Sequence, residues 1–168
     1  MATHLFLTGD IQVGKSTILN RYLSSHPELC IGGFRTVWKH ERSDYRNSLH
    51  IIPAAEPVPL TKENCVGIRE GVWPDRKCVD FTDVYDTVGT ALLKGAGPFD
   101  IYLMDEIGLA ENNALRFQAA VLRLLDGDTP VIGVVRDKPG VLPDLVRAHP
   151  RVRIITVTVE NRNEIMLP

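Results

Sequence analysis

Cysteine is scarce in this 168-residue chain, and its pattern is unhelpful to any covalent or metal-bound scaffold. Cys30, Cys65 and Cys78 are odd in number, lie far apart and form no C-x-x-C pair, and none of the five histidines clusters with a cysteine. A disulfide framework and a structural zinc site are therefore not expected; three free thiols in a reducing compartment are. Long apolar runs are also missing, and nothing approaches the roughly 20 residues that span a bilayer. Charge of one sign is not in surplus: 19 Lys and Arg face 21 Asp and Glu, for a net charge of −2. That excludes a polybasic membrane binder and a basic duplex-binding module, so neither membrane nor nucleic acid is an expected partner. Internal repeats and low-complexity tracts are absent too. The composition, 44% hydrophobic and 24% charged, is that of a globular domain. A functional motif starting at Gly9 leaves no room for a removable leader. The expectation is one cytoplasmic domain over residues 1–168, with a monomer favoured.

What the chain does have is an alternation of periods. His4 to Thr8 is an apolar run ending at a glycine, the pattern of a buried strand. From Lys15 the period turns helical, with Ile18, Leu19, Tyr22 and Leu23 on one face until His26-Pro27. From about residue 30 to 80 short β-like runs (Gly33 to Trp38, Leu49 to Ile52, Val66 to Val72, Lys77 to Asp80) are punctuated by Gly and Pro. They predict an inserted β-hairpin region, with Pro53, Pro57 and Pro59 marking one connection. Helical spacing returns at Phe81, Val84, Tyr85, Val88 and Leu92. Strands follow at Ile101 to Met104, Val131 to Val135 and Val152 to Val159, separated by helices carrying Leu115, Val121, Leu122 and Leu125 and then Val141, Leu142, Leu145 and Val146. Strands alternating with helices imply an α/β fold, a three-layer sandwich around a mostly parallel sheet.

Gly9-Asp10-Ile11-Gln12-Val13-Gly14-Lys15-Ser16 matches G-x-x-x-x-G-K-[ST] without a gap, between a predicted strand and a predicted helix. The chemistry explains the spacing. Glycines let the backbone wrap phosphate oxygens, successive N–H groups form an anion nest, and the helix N-terminus adds its positive end. Lys15 is then placed to reach the β and γ phosphates, Ser16 to ligate Mg²⁺, and Thr17 to lie near the α phosphate. Ile101-Tyr-Leu-Met104 ends in Asp105-Glu106, an apolar strand delivering two carboxylates, as a Walker B site requires. Asp105 is the candidate metal holder and Glu106 the candidate base for an attacking water. A solvated Glu106 is the competing reading.

These residues resemble a known family. Asp105-Glu-Ile-Gly108 followed by Ala110-Glu111, together with Gly33-Phe-Arg-Thr36, Val79-Asp-Phe-Thr82 and Thr158-Val-Glu-Asn-Arg-Asn163, is similar to the P-loop nucleoside-triphosphatases of the cancer-related and thermophile type. The resemblance covers nearly the whole chain, in order. It implies an ATPase-type core and a small Mg²⁺-dependent enzyme that slowly hydrolyses ATP, GTP and other nucleoside triphosphates to the diphosphate and phosphate. The chain departs from the family pattern in three places. Asp10-Ile-Gln12 stands where glycine or proline is usual, Arg35 where an aromatic is more common, and Leu109-Ala110 where Lys-Met is common. The stretch from Asp44 to Pro59 also looks rebuilt.

Other polar residues leave alternatives open. Arg136, at the end of the Val131 to Val135 run, either neutralises γ-phosphate charge or pairs with an acid of the protein. Arg35 either reaches the phosphates or forms a surface salt bridge. Asn161, Arg162 and Asn163 either border the base, as the resemblance favours, or cap a helix. Trp38, Trp73, Arg42, Arg46, Arg69 and Arg76 fit solvated hairpin faces better than a second-substrate or RNA surface. Hydrolysis by a Glu106-activated water is the leading function. A nucleotide or small-molecule kinase and a nucleotide-gated binding module with slow hydrolysis are the alternatives. No N-K-x-D motif specifies guanine.

Overall fold

A computed structural model describes residues 4–41 and 45–167. Its elements are β1 (His4–Thr8), α1 (Lys15–Ser25), β2 (Ile31–Glu41), β3 (Arg46–Pro53), β4 (Cys65–Glu70), β5 (Lys77–Asp80), α2 (Thr82–Val84), α3 (Thr90–Leu93), β6 (Ile101–Ile107), α4 (Leu115–Asp126), β7 (Val131–Val135), α5 (Val141–Ala148) and β8 (Val152–Thr156). The strands form one sheet in the order β5-β4-β3-β2-β6-β7-β1-β8. From β2 to β8 all pairings are parallel; from β2 to β5 all are antiparallel.

The central strands read as continuous apolar runs because both faces of the sheet are covered. Alternate residues serve the two sides. Leu5, Leu7, Leu103, Ile132 and Val134 join Ile18 and Leu19 of α1 in one buried cluster. Phe6, Met104, Val131 and Val135 join Phe117, Val121 and Leu125 of α4 and Leu142 and Val146 of α5 in the other. The result is the expected three-layer α/β arrangement. Among the described residues no helix is long and apolar enough to cross a membrane.

The expected hairpin region is present as the antiparallel strands β2 to β5, and it is continuous with the parallel sheet. It is no separate excursion: β2 belongs to both parts. Ile31–Arg35 pairs in parallel with Ile101–Asp105 of β6, and the strand then runs on to pair antiparallel with β3. An antiparallel wing, β3 to β5, thus extends the parallel sheet. Gly33 permits the junction. Its φ is +95°, and a Cβ there would run into the carbonyl oxygen of Leu103.

Two expectations shift. The helix over residues 81–92 is interrupted by a π-helical turn at Tyr85–Gly89, which sets buried Tyr85 against Phe117 with ring centroids 5.1 Å apart. The last strand stops at Thr156 rather than Val159. Arg42 and Asp44 lie outside the described residues.

Candidate active site

The phosphate loop joins β1 to α1 at the carboxyl edge of the parallel strands, where open α/β sheets place ligands. Gly9 has φ +129°, and a Cβ there would collide with the Val157 carbonyl. Gly14, at φ +111°, is the N-cap of α1. Gln12 takes a left-handed φ of +62°, so a residue with a side chain occupies a conformation that costs about 1–2 kcal/mol outside glycine. The Lys15 ammonium folds back over the loop, donating to the carbonyls of Gly9 at 2.8 Å and Asp10 at 2.6 Å. Asp10 thus meets Lys15 through its backbone, and its carboxylate does not line the cleft. Val13 is buried in the core, whereas Ile11 is exposed beside the cleft.

Opposite the loop stands the end of β6. β7 lies between β1 and β6, so Arg136, just past β7, enters from the strand between loop and acids. The Ser16 hydroxyl donates to Asp105 Oδ1 at 3.3 Å, and Arg35 Nη1 approaches Asp105 Oδ2 at 3.4 Å. Burial pushes the Asp105 carboxyl above its ordinary value, opposed by the Arg35 guanidinium, the Ser16 hydrogen bond and Lys15. Glu106 is likewise raised, first by burial, against the pull of Arg136 and Lys15 and with help from Asp105. A half-buried carboxyl between two cations is not the fully solvated side chain of the competing reading. Among the described residues Arg136 makes no ion pair within 4.0 Å; its backbone N–H donates to Ile107 O at 2.8 Å. Arg35 joins an acid of the site itself rather than a surface partner, and its Nε also donates to Ala54 O at 3.2 Å.

Two residues here carry roles that the motifs alone did not assign. Thr36 Oγ1 accepts the Glu106 N–H at 3.2 Å and donates to Asp105 O at 3.4 Å, clamping the backbone between the two acids. Glu111, fully buried, accepts the Gly108 N–H at 2.5 Å, and burial pushes its carboxyl up to about 7. Gln118 Nε2 holds the same turn by donating to Glu111 O and Asn112 O. Thr36 stands inside Gly33-Phe-Arg-Thr36 and Glu111 closes the stretch that begins at Asp105, which is the signal that could have marked them.

A cleft of about 660 Å³ joins these groups, lined by the loop with Lys15, Ser16 and Thr17, by Asp105, Glu106, Glu111 and Arg136, and by Trp38, Arg69 and Arg76 of the wing. A family model described as NTPase matches residues 4–167. The chain belongs to the NTPase family. It is 28% identical to a bovine protein called cancer-related nucleoside-triphosphatase homolog, over 99% of this chain and 94% of that one. To nucleoside-triphosphatase THEP1 of Methanopyrus kandleri it is 32% identical, over 98% and 92%. In fold it is similar to the crystal structure of THEP1 from Aquifex aeolicus, with a TM-score of 0.68 at 19% identity over 95% and 92% of the two chains. The solution structure of a human cancer-related nucleoside triphosphatase gives 0.64 at 23%, over 97% and 93%.

Within this NTPase the C-terminal motif divides. Asn161 Oδ1 accepts the Thr158 N–H at 2.8 Å, its Nδ2 donates to Thr156 O at 2.9 Å, and its N–H donates to Thr158 Oγ1 at 3.2 Å. Its amide therefore stitches the turn that ends β8, as the capping alternative expects. Arg162 lies over the start of α1, its Cδ 3.7 Å from where a Gly14 Cβ would be. The wing arginines divide too. Arg69 and Arg76 border the NTPase cleft with Trp38, while remaining on the hairpins: Arg76 is exposed and Arg69 pairs with Asp80 of β5 at 2.6 Å. Arg46 pairs instead with Glu70 at 3.4 Å, and Trp73 is exposed.

Proposed function

We propose that the protein hydrolyses nucleoside triphosphates to the diphosphate and phosphate by direct attack of water, with Glu106 as the general base. The observation that carries this reading is the position of Glu106: at the end of β6, facing the phosphate loop across one cleft, with its carboxyl raised toward the range useful to a base. The nest of loop N–H groups and the N-terminus of α1 bind the phosphates, Lys15 clamps them, and Arg136 offsets charge that develops on the terminal phosphate. Arg162, over the loop's end, borders the nucleoside side. Ser16 and Asp105 form a hard oxygen pair suited to Mg²⁺, which takes one or two carboxylates plus substrate phosphates. When bound, the ion would neutralise phosphate charge.

Glu106→Gln keeps the shape and removes the base. Turnover at saturating nucleotide should fall by about 100-fold or more, with nucleotide affinity retained. Turnover within tenfold of the parent, about 1.4 kcal/mol in barrier, would show that Glu106 is not the base. Because the Glu106 carboxyl is raised and works deprotonated, activity should decline on acidification at a pH above the ordinary carboxylate range. A profile flat down to that range counts against the assignment.

One observation favours a second reading. Arg76 and Trp38 extend the cleft onto the wing beside the Arg69–Asp80 ion pair, and Arg76 offers a cation to an anionic phosphate acceptor. Labelled γ-phosphate recovered on added nucleoside monophosphates rather than as free phosphate would make the protein a kinase.

A further inference from the structure

The wing carries a second constellation on its opposite face. Trp38 and Leu49 are paired and line the phosphate cleft. Lys39 and Ser48, the next pair along, point the other way, as does His50 two residues on. These three residues line a separate cavity of about 690 Å³, within the range of small-molecule sites. Ser48 and His50 are both buried. Ser48 Oγ lies 2.8 Å from His50 Nε2, and His50 Nδ1 lies 2.8 Å from Asn64 Oδ1.

The surrounding hydrogen bonds determine which atom carries which proton. Asn64 Oδ1 accepts the Thr61 N–H at 3.0 Å, and Asn64 Nδ2 donates to Pro59 O at 3.0 Å. The amide oxygen therefore faces His50, which must donate from Nδ1. In the neutral imidazole Nε2 is then the acceptor, and Ser48 donates to it. Nucleophile, base and base-orienting group stand in sequence, each within hydrogen-bond reach of the next.

The geometry points to Ser48 as an activated nucleophile for acyl transfer, with His50 as its base and Asn64 as the residue that positions His50. In that step Ser48 Oγ bonds to the carbonyl carbon of an ester while its proton passes to His50 Nε2. Collapse of the tetrahedral adduct expels the alcohol, which takes that proton, and water then releases the acid by the same route. Lys39, opposite Ser48 in the register and lining the same cavity, supplies positive charge for the oxyanion. Leu60, Ile68 and Phe81 offer an apolar wall, and Lys39, Arg46 and Lys62 are balanced by Glu41, Asp80 and Asp83, so the substrate class is an uncharged ester with an apolar acyl group. The site shares no catalytic group with the phosphate cleft.

A fluorophosphonate probe tests this on the intact protein, since it forms a phosphorus–oxygen bond to an activated serine as fluoride leaves. Peptide mapping should find the label on Ser48. Ser48→Ala should abolish it, and His50→Gln should slow it about 100-fold or more with circular dichroism unchanged. Hydrolysis of 4-nitrophenyl butyrate should follow the same order. Should a variant fail to fold, the wild-type map decides alone. Folded wild-type protein left unlabelled at Ser48, labelled only elsewhere, or labelled at the same rate in folded His50→Gln would overturn the proposal.

Discussion

Every residue of β1 and β7 is buried, whereas all four residues of β5, at the far edge of the wing, are exposed. Helices cover both faces of the parallel half. The wing spreads into solvent with charged side chains on its edge, as unprotected edge strands commonly do. Stability and function therefore divide between the two regions. The parallel half supplies the packed frame and the motif-bearing loops at its carboxyl edge. The wing supplies side chains that complete the cleft from the side, and β2 conveys its position to the acids through Arg35 and Thr36.

The largest expected effect tests the junction against the edge. Gly33→Ala places a Cβ against the backbone of Leu103 at a φ of +95°. Strain and overpacking together should cost at least about 3 kcal/mol in urea unfolding, or prevent folding. Val79→Ala on β5, half-exposed at the sheet edge, should change stability by no more than about 0.5–1 kcal/mol. Similar losses for the two would mean the wing is packed into the fold as tightly as the parallel strands.

A second contrast concerns pH. The Glu111 carboxyl, pushed up to about 7 by burial, keeps its proton in the folded chain well above pH 4.5, where the unfolded chain releases it. Between those values the folded state binds more protons, so this group's contribution to stability falls as pH rises from 4.5 to 7 and is level above. Glu111→Gln keeps an acceptor for the Gly108 N–H without the titration. Its unfolding free energy should match the parent's near pH 5 and exceed it by on the order of 2–3 kcal/mol at pH 8. A difference unchanged between those two pH values would show that Glu111 is not the titrating group.

How far the sequence reveals each region follows from the same division. β1, β6 and β7 are legible because strands buried on both faces are continuous apolar runs, and the Gly9 to Ser16 loop because its glycines stand at a fixed spacing and take the positive φ values that favour glycine. The sharing of β2 is not legible: parallel and antiparallel pairing require the same alternation, and nothing in Ile31–Glu41 marks where one gives way to the other. The π turn escapes because a single widened turn barely alters the spacing of Val84, Tyr85, Val88 and Leu92. Asp105 and Glu106 announce themselves by following an apolar run. Trp38, Arg69 and Arg76 reach the cleft only through the register of β2, β3 and β4, which local pattern does not encode. Asn161 shows the converse, a polar residue in a motif whose amide serves its own turn.

The smallest expected effect probes the contact through which wing and parallel half meet at the acids. Thr36→Val keeps the shape and deletes the hydroxyl, leaving the Glu106 N–H without its 3.2 Å acceptor. The stability loss should be about 1 kcal/mol, the ordinary net worth of such a bond. Turnover should fall roughly tenfold, about 1.4 kcal/mol in barrier, because Glu106, the base we propose, is no longer held at its backbone. Since the loop residues are untouched, nucleotide affinity should change far less than turnover. Thr36→Ser restores the hydroxyl and should recover most of the activity. Rescue by serine distinguishes a positioning bond from simple packing, in which the methyl would matter and the oxygen would not. If valine turned over as fast as the parent, the wing would complete the cleft without governing its chemistry, and its side-chain link to the acids would rest on Arg35.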